Sequence, residues 1–329
     1  MVTAPASLRA VLERLLERMP SLRRVEESGA SLEIALARIE RPETRPARLL
    51  EGVRLRAHAV PRDVPAAFTA FLDGVQRSRE VAWIGTMPVV YGRVAAVVRE
   101  RIDGRLVTWR GAPRQGAALY APWSRLSTNE REAVASSGVE AREVAPEAAG
   151  DGGEVHPLRA LQDAANAVTQ DREVIERDLA ADFCAAGEGT VYLDGGLPTS
   201  DVVHASARAV GVVKSHQTLY VAESDLATVF GLGEAERSSV LIVEHRRRRP
   251  VATWYLRLRD ARQRDPFWGL VRVEIPLADF ERGGASLADE RSAWVVAERS
   301  PVALPDGRWD TMSYGIRNCE EFLRATMGR

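Results

Sequence analysis

Two aspartates, each closing a short apolar run and each followed by glycine, carry the clearest chemical signal in the chain: Asp73 in AFTAFLDG and Asp194 in GTVYLDGG. A carboxylate at the end of a buried strand lies at a sheet edge, and the glycine leaves room for the backbone to turn beside a ligand. If two such strands are neighbours, their carboxylates converge and repel unless a cation lies between them. That arrangement suits a hard divalent ion held by oxygen ligands. Such ions activate water and stabilise the departing oxygen in phosphodiester cleavage. Either Asp-Gly alone reads more readily as a plain turn, so the site depends on the company the two aspartates keep.

Part of that company is a third carboxylate. In DREVIERDLAADF, Glu173 and Glu176 lie three residues apart and share a helix face, whereas Asp178 points elsewhere. Glu176 is the glutamate expected to complete an Asp-Glu-Asp metal site with Asp73 and Asp194. Lys214, in GVVKSHQTLY, is the only lysine in a chain whose other basic residues are arginine. A compact ammonium there suits a phosphate contact. Beside it, His216 reads as a proton shuttle or as a structural hydrogen-bonder. The run HRRRRP at 245–250 reads as a basic patch for a DNA backbone or as a solvated loop.

The elements that position these residues follow from hydrophobic periodicity. Residues 6–19 form a helix pattern with Leu8, Val11, Leu12, Leu15 and Leu16 on one face. A Pro- and Arg-rich stretch, RPETRPARLL, follows, so residues 1–55 read as an N-terminal helical appendage and 56–329 as the main domain. From Ala67 the pattern becomes extended and Gly/Pro-punctuated, an antiparallel meander. The stretch from about 140 to 157 is rich in Gly, Ala, Pro and Glu and reads as a flexible insertion. A long helix pattern leads from it to GTVYLDGG. Strand-like runs (ARAVGVVKS, SSVLIVEH, VATWYLRLRD, GLVRVEIP) then alternate with helical ones, and SYGIRNCEEFLRATM closes the chain as a helix. The expected class is α/β.

The bulk numbers bound the function. A 329-residue chain that is 45% hydrophobic and 28% charged can bury a substantial core. Its formal net charge of −1 argues against gripping nucleic acid over the whole surface, so any DNA contact is local. No run of 18 or more apolar residues occurs, and a cytoplasmic protein without a membrane partner is expected. Cys184 and Cys319 match neither a disulfide framework nor a paired-ligand zinc site.

LDG at 72–74, a glutamate helix before YLDGGL at 192–197, GVVKS at 211–215, WYLRL at 254–258 and VRVEIP at 271–276 follow in this order. The layout resembles that of NurA nucleases over roughly residues 65 to 329. The resemblance implies an RNase H-like core, with a central mixed sheet flanked by helices, and manganese-dependent (or magnesium-dependent) cleavage of DNA ends and single strands. It also implies a homodimer docked on a HerA-type hexameric ATPase, working in DNA end resection and double-strand break repair or in anti-phage defence. It places the family's metal-binding acids on Asp73, Glu176 and Asp194, its lysine on Lys214 and its late tyrosine on Tyr314. Two departures stand out: Val75 replaces a frequent serine, and no histidine follows His245. Asn318, Cys319 or Glu320 could stand in for the missing histidine. Two alternatives follow. One is a catalytically weak adaptor that caps and regulates the ATPase ring. The other is a sugar-kinase-like ATPase cradling phosphate on Asp194-Gly195-Gly196, which the lack of further glycine-rich phosphate loops disfavours.

Overall fold

The amphipathic stripe near the N-terminus has to be buried against something, and its partners come from far along the sequence. In the computed structural model, which describes residues 8–25, 42–62, 64–65, 67–145, 156–187, 189–245, 248–261, 264–299 and 311–327, the chain forms two compact units. One comprises Met1–Ile39, Gly74–Ala95 and Arg114–Ile175, the other Glu40–Asp73, Ala96–Pro113 and Glu176–Arg329.

In the first unit, helix Leu8–Arg18 buries Val11, Leu12 and Leu15 against Val81, Ile84, Val89, Leu119 and Trp123. Burying those three side chains contributes on the order of 5 kcal/mol before chain entropy is subtracted. Strand Leu22–Arg24 extends the same layer, pairing antiparallel with residues 82–84. Within the segment expected as an appendage, the described residues Val11, Leu12, Leu15, Met19 and Leu22 share one hydrophobic cluster with residues of the following strands. Periodicity announces a buried face but says nothing about which distant strands will cover it. Glu140–Glu143, expected within a flexible insertion, is a strand paired in parallel with Ala118–Ala121, because backbone pairing at a sheet edge tolerates four exposed residues, three of them charged. Residues 146–155 of that insertion lie outside the described residues, as do Arg246 and Arg247 of the basic run.

The second unit carries a mixed sheet. Strand Val191–Asp194 pairs in parallel on one side with residues 70–72 of the long strand Ala70–Ile84, and on the other with strand Ala209–Val213. Strands Leu270–Pro276, Arg248–Arg257 and Leu241–His245 continue the sheet, each antiparallel to its neighbour. The parallel strands are short and almost wholly apolar (Val191, Tyr192 and Leu193; Val210 and Val212), as expected of strands covered on both faces. Helix Leu277–Ala297 docks on the sheet through Ser292, whose hydroxyl accepts from the Trp254 indole at 2.8 Å. The helical periodicity of this segment is interrupted by Gly283-Gly284, and Gly284 adopts φ 58°, a kink that hides the helix from a pattern reading. The C-terminal helix Tyr314–Met327 buries Ile316, Cys319 and Leu323. Its second residue is glycine because a Cβ there would lie 2.2 Å from the Phe71 ring.

Candidate metal centre

Strand register assembles the site. Val191, Tyr192 and Leu193 pair with Ala70, Phe71 and Leu72, so the next residues along the two parallel strands are Asp194 and Asp73. Parallel strands in register present paired residues on the same face. On the other side, Asp194 pairs with Val212, and Lys214, two residues beyond, returns to the face of Val212. Asp73 lies inside the long strand Ala70–Ile84, not at a strand end as its Asp-Gly pattern suggested, and is brought beside Asp194 and Lys214 at the ends of the two neighbouring strands. The result is an ion pair of 2.8 Å between Lys214 Nζ and Asp194 Oδ1.

The C-terminal helix supplies a further acid. Carboxylate oxygens of Asp73, Asp194 and Glu320 all lie within 4.8 Å of one another. The helix is held over the strand by the close approach of Gly315 to Phe71, by the Cys319 thiol donating to the Phe71 carbonyl at 3.4 Å, and by Arg99. The Arg99 guanidinium donates to the Asn318 side-chain oxygen at 2.9 Å and lies 4.5 Å from the Phe322 ring centre. Of the three residues that could replace the late histidine, Asn318 and Cys319 are thus engaged in holding the helix. Glu320, which also pairs with Arg324 at 3.1 Å, faces the aspartates.

Glu176 is half-buried on helix Pro157–Ala186. Its charge acts on Asp73, but it is not in the group of acids that converge within 4.8 Å. Tyr314 starts the C-terminal helix and is 61% exposed. His216 donates from Nε2 to the Leu270 carbonyl at 2.9 Å and stacks on Phe267.

Asp73 is 6% exposed. Burial pushes its carboxyl well above the usual carboxylate range, and the charge of Asp194 pushes further. Lys214 opposes the shift, while Glu176 and Glu320 add to it. An ionised Asp73 is thus repelled by the charges of Asp194, Glu176 and Glu320 and helped by that of Lys214, and a divalent ion relieves such repulsion. The donor set fits a hard ion: three carboxylates, with the thiol of Cys319 raised in pKa by burial and bonded away into the core.

The turn after Asp194 is braced from behind. Gly195 adopts φ 123°, and a Cβ on Gly211 would lie 2.8 Å from the Gly195 carbonyl, so the two chain segments touch backbone to backbone. Buried Glu274 accepts from the Leu197 amide at 2.8 Å and is itself paired with Arg272. This is the structural use of the glutamate in VRVEIP. An open cleft of about 470 Å³ is lined by Asp194, Lys214 and Glu320 on one part of its wall and by His216, Phe267 and Trp268 on another.

No protein-family model and no curated protein matches the chain. Among solved structures, the crystal structure of the NurA nuclease from Sulfolobus solfataricus is similar over 84% of this chain and 81% of that chain, with a TM-score of 0.44 and 12% sequence identity. No helix among the described residues is long and apolar enough to cross a membrane.

Proposed function

We propose that this protein is a divalent-metal-dependent DNA nuclease whose ion is held by Asp73, Asp194 and Glu320, with Glu176 adding negative charge. The convergence of three carboxylates within 4.8 Å, one of them buried, carries this reading. When bound, Mn²⁺ or Mg²⁺ supplies Lewis acidity to the phosphate and activates water. The chain's own residues do the rest. Lys214 exchanges its hold on Asp194 for a non-bridging phosphate oxygen, neutralising charge as the phosphorus centre becomes crowded. Glu274 and Gly211 fix the turn that aims Asp194, and exposed Tyr314 is assigned a contact with the DNA strand.

The reading extends to an RNase H-like core, supported by the parallel pairing of the Asp194 strand with that of Asp73 on one side and with strand Ala209–Val213 on the other, and by the antiparallel strands beside them. It takes DNA ends and single strands as substrate. The motif order supports a homodimer docked on a HerA-like hexameric ATPase, in the cytoplasm, in DNA repair or anti-phage defence. The alternative of a catalytically weak adaptor drew its support from the missing late histidine. The carboxylate of Glu320 beside the two aspartates favours the nuclease.

Purified protein is to be assayed on labelled single-stranded and duplex DNA across a manganese titration, beside Asp73→Asn. Metal-dependent cleavage that falls at least about a hundredfold in the variant is expected, with DNA binding retained. Equal rates for variant and wild type would sink the assignment.

A further inference from the structure

The cleft wall opposite in character to the acids is aromatic. Phe267 is 41% exposed, yet both its backbone and its ring have partners. Its amide donates to the Asp265 carboxylate at 3.0 Å, the Trp268 amide donates to the Asp265 carbonyl at 3.1 Å, and the Leu270 amide donates to the Phe267 carbonyl at 3.0 Å. The Phe267 ring stacks on His216 (centroids 5.3 Å apart, planes 27° apart) and meets Phe230 at 75°. The hydrogen bond from His216 to Leu270 fixes the imidazole under it. Trp268 sits beside it with the Arg264 guanidinium 4.9 Å from its ring centre. Core packing explains a buried aromatic cluster but not a ring braced by two aromatic neighbours, partly bare and open to the same cleft as Lys214.

We propose that Phe267, backed by His216, is a stacking shelf for an unpaired nucleobase of the strand whose phosphate meets Lys214. This deepens the nuclease reading and rests on it for the identity of the strand. A base inside a duplex has both faces covered by its neighbours. Only a single-stranded, frayed or terminal base can offer its face to a fixed ring, and such stacking tolerates any base because every base has a π-face. The shelf therefore selects unpaired strands by the state of the base, while the lysine and the acids act on the backbone. His216 is a positioning residue: it holds the ring and does not touch the phosphate.

The test measures binding and cleavage of a single-stranded oligonucleotide carrying a fluorescent adenine analogue, of the same strand with an abasic position, and of the matching duplex. Wild type is compared with Phe267→Ala, Phe267→Leu and Phe267→Trp, each checked for an unchanged thermal melting profile. Wild type is expected to prefer the base-bearing strand over the abasic one by about tenfold and to quench the fluorescent base. Phe267→Ala and Phe267→Leu lose both the preference and the quenching, with the effect on KM rather than kcat, and Phe267→Trp retains them. Equal preference in wild type and Phe267→Ala overturns the shelf, as does an equal loss on base-bearing and abasic strands. If the wild type quenches the base but cuts no strand with any metal, the nuclease reading fails while the shelf stands.

Discussion

Lys214 Nζ lies 2.8 Å from Asp194 Oδ1, and the two residues reach that distance from the ends of adjacent parallel strands in which Asp194 is paired with Val212. The lysine is thus placed by register, two residues past its partner's level. An ammonium in this position offsets part of the repulsion among the acids and remains exchangeable for phosphate.

Lys214→Ala is expected to lower kcat/KM for DNA by roughly tenfold to a hundredfold without raising the manganese concentration needed for half-maximal rate, since a competing cation has been removed. Lys214→Arg restores only part of the loss, because a planar fork does not replace a point charge. A manganese titration on all three proteins reads both quantities. A weaker metal response in Lys214→Ala would show that the lysine builds the site rather than serving the phosphate.

Glu320 and Glu176 are separable. Glu320 lies in the group within 4.8 Å and Glu176 does not, so Glu320→Gln should weaken manganese binding by at least about tenfold and Glu176→Gln by clearly less. Isothermal calorimetry on the two variants decides the order. The reverse order would restore an Asp-Glu-Asp centre built on Glu176.

Gly315 couples the helix to the strand. A Cβ there would lie 2.2 Å from the Phe71 ring, so Gly315→Ala should cost about 1–3 kcal/mol through overpacking and should lift Glu320 away from the aspartates, weakening metal binding with it. Adding Phe71→Leu should return part of both losses, a non-additive pair readable by denaturant melts. Additive costs would mean that the two residues do not bear on each other.

Glu51 governs part of the acid stability. Burial alone would raise its pKa, but the hydrogen bond and charge of Arg237, the Val240 amide and the charge of His58 outweigh burial and hold it below its ordinary 4.5. Arg237 is 1% exposed and also pairs with Asp289 at 2.6 Å. A carboxyl whose folded pKa is depressed stabilises the fold above its unfolded value and loses that contribution as pH falls through the folded one. Glu51→Gln should therefore cost roughly 2 kcal/mol near pH 7, below the usual cost of breaking a buried pair because Asp289 remains. It should also flatten the fall in stability below about pH 4.5. Chemical melts at neutral and acid pH, in wild type and variant, check both. An unchanged acid slope would remove Glu51 from the account.

The sequence by itself determined the local features. Apolar runs ending in Asp-Gly marked both aspartates, although only Asp194 closes its strand and that of Asp73 runs on to Ile84; a lone lysine after a third run marked another strand end, and periodicity marked the long helix and the C-terminal one. These are legible because period and turn chemistry are written within a few residues. Only the tertiary structure decided which elements are neighbours. It paired the strands of Asp73 and Asp194 in register although more than a hundred residues separate them. It built the N-terminal helix into a core. It also brought Glu320, an acid on a charged helix like many others, against the aspartates because Gly315 lets that helix close on Phe71. Register and helix docking are set by long-range packing, in which the whole buried surface is optimised at once, and no window of sequence carries that sum.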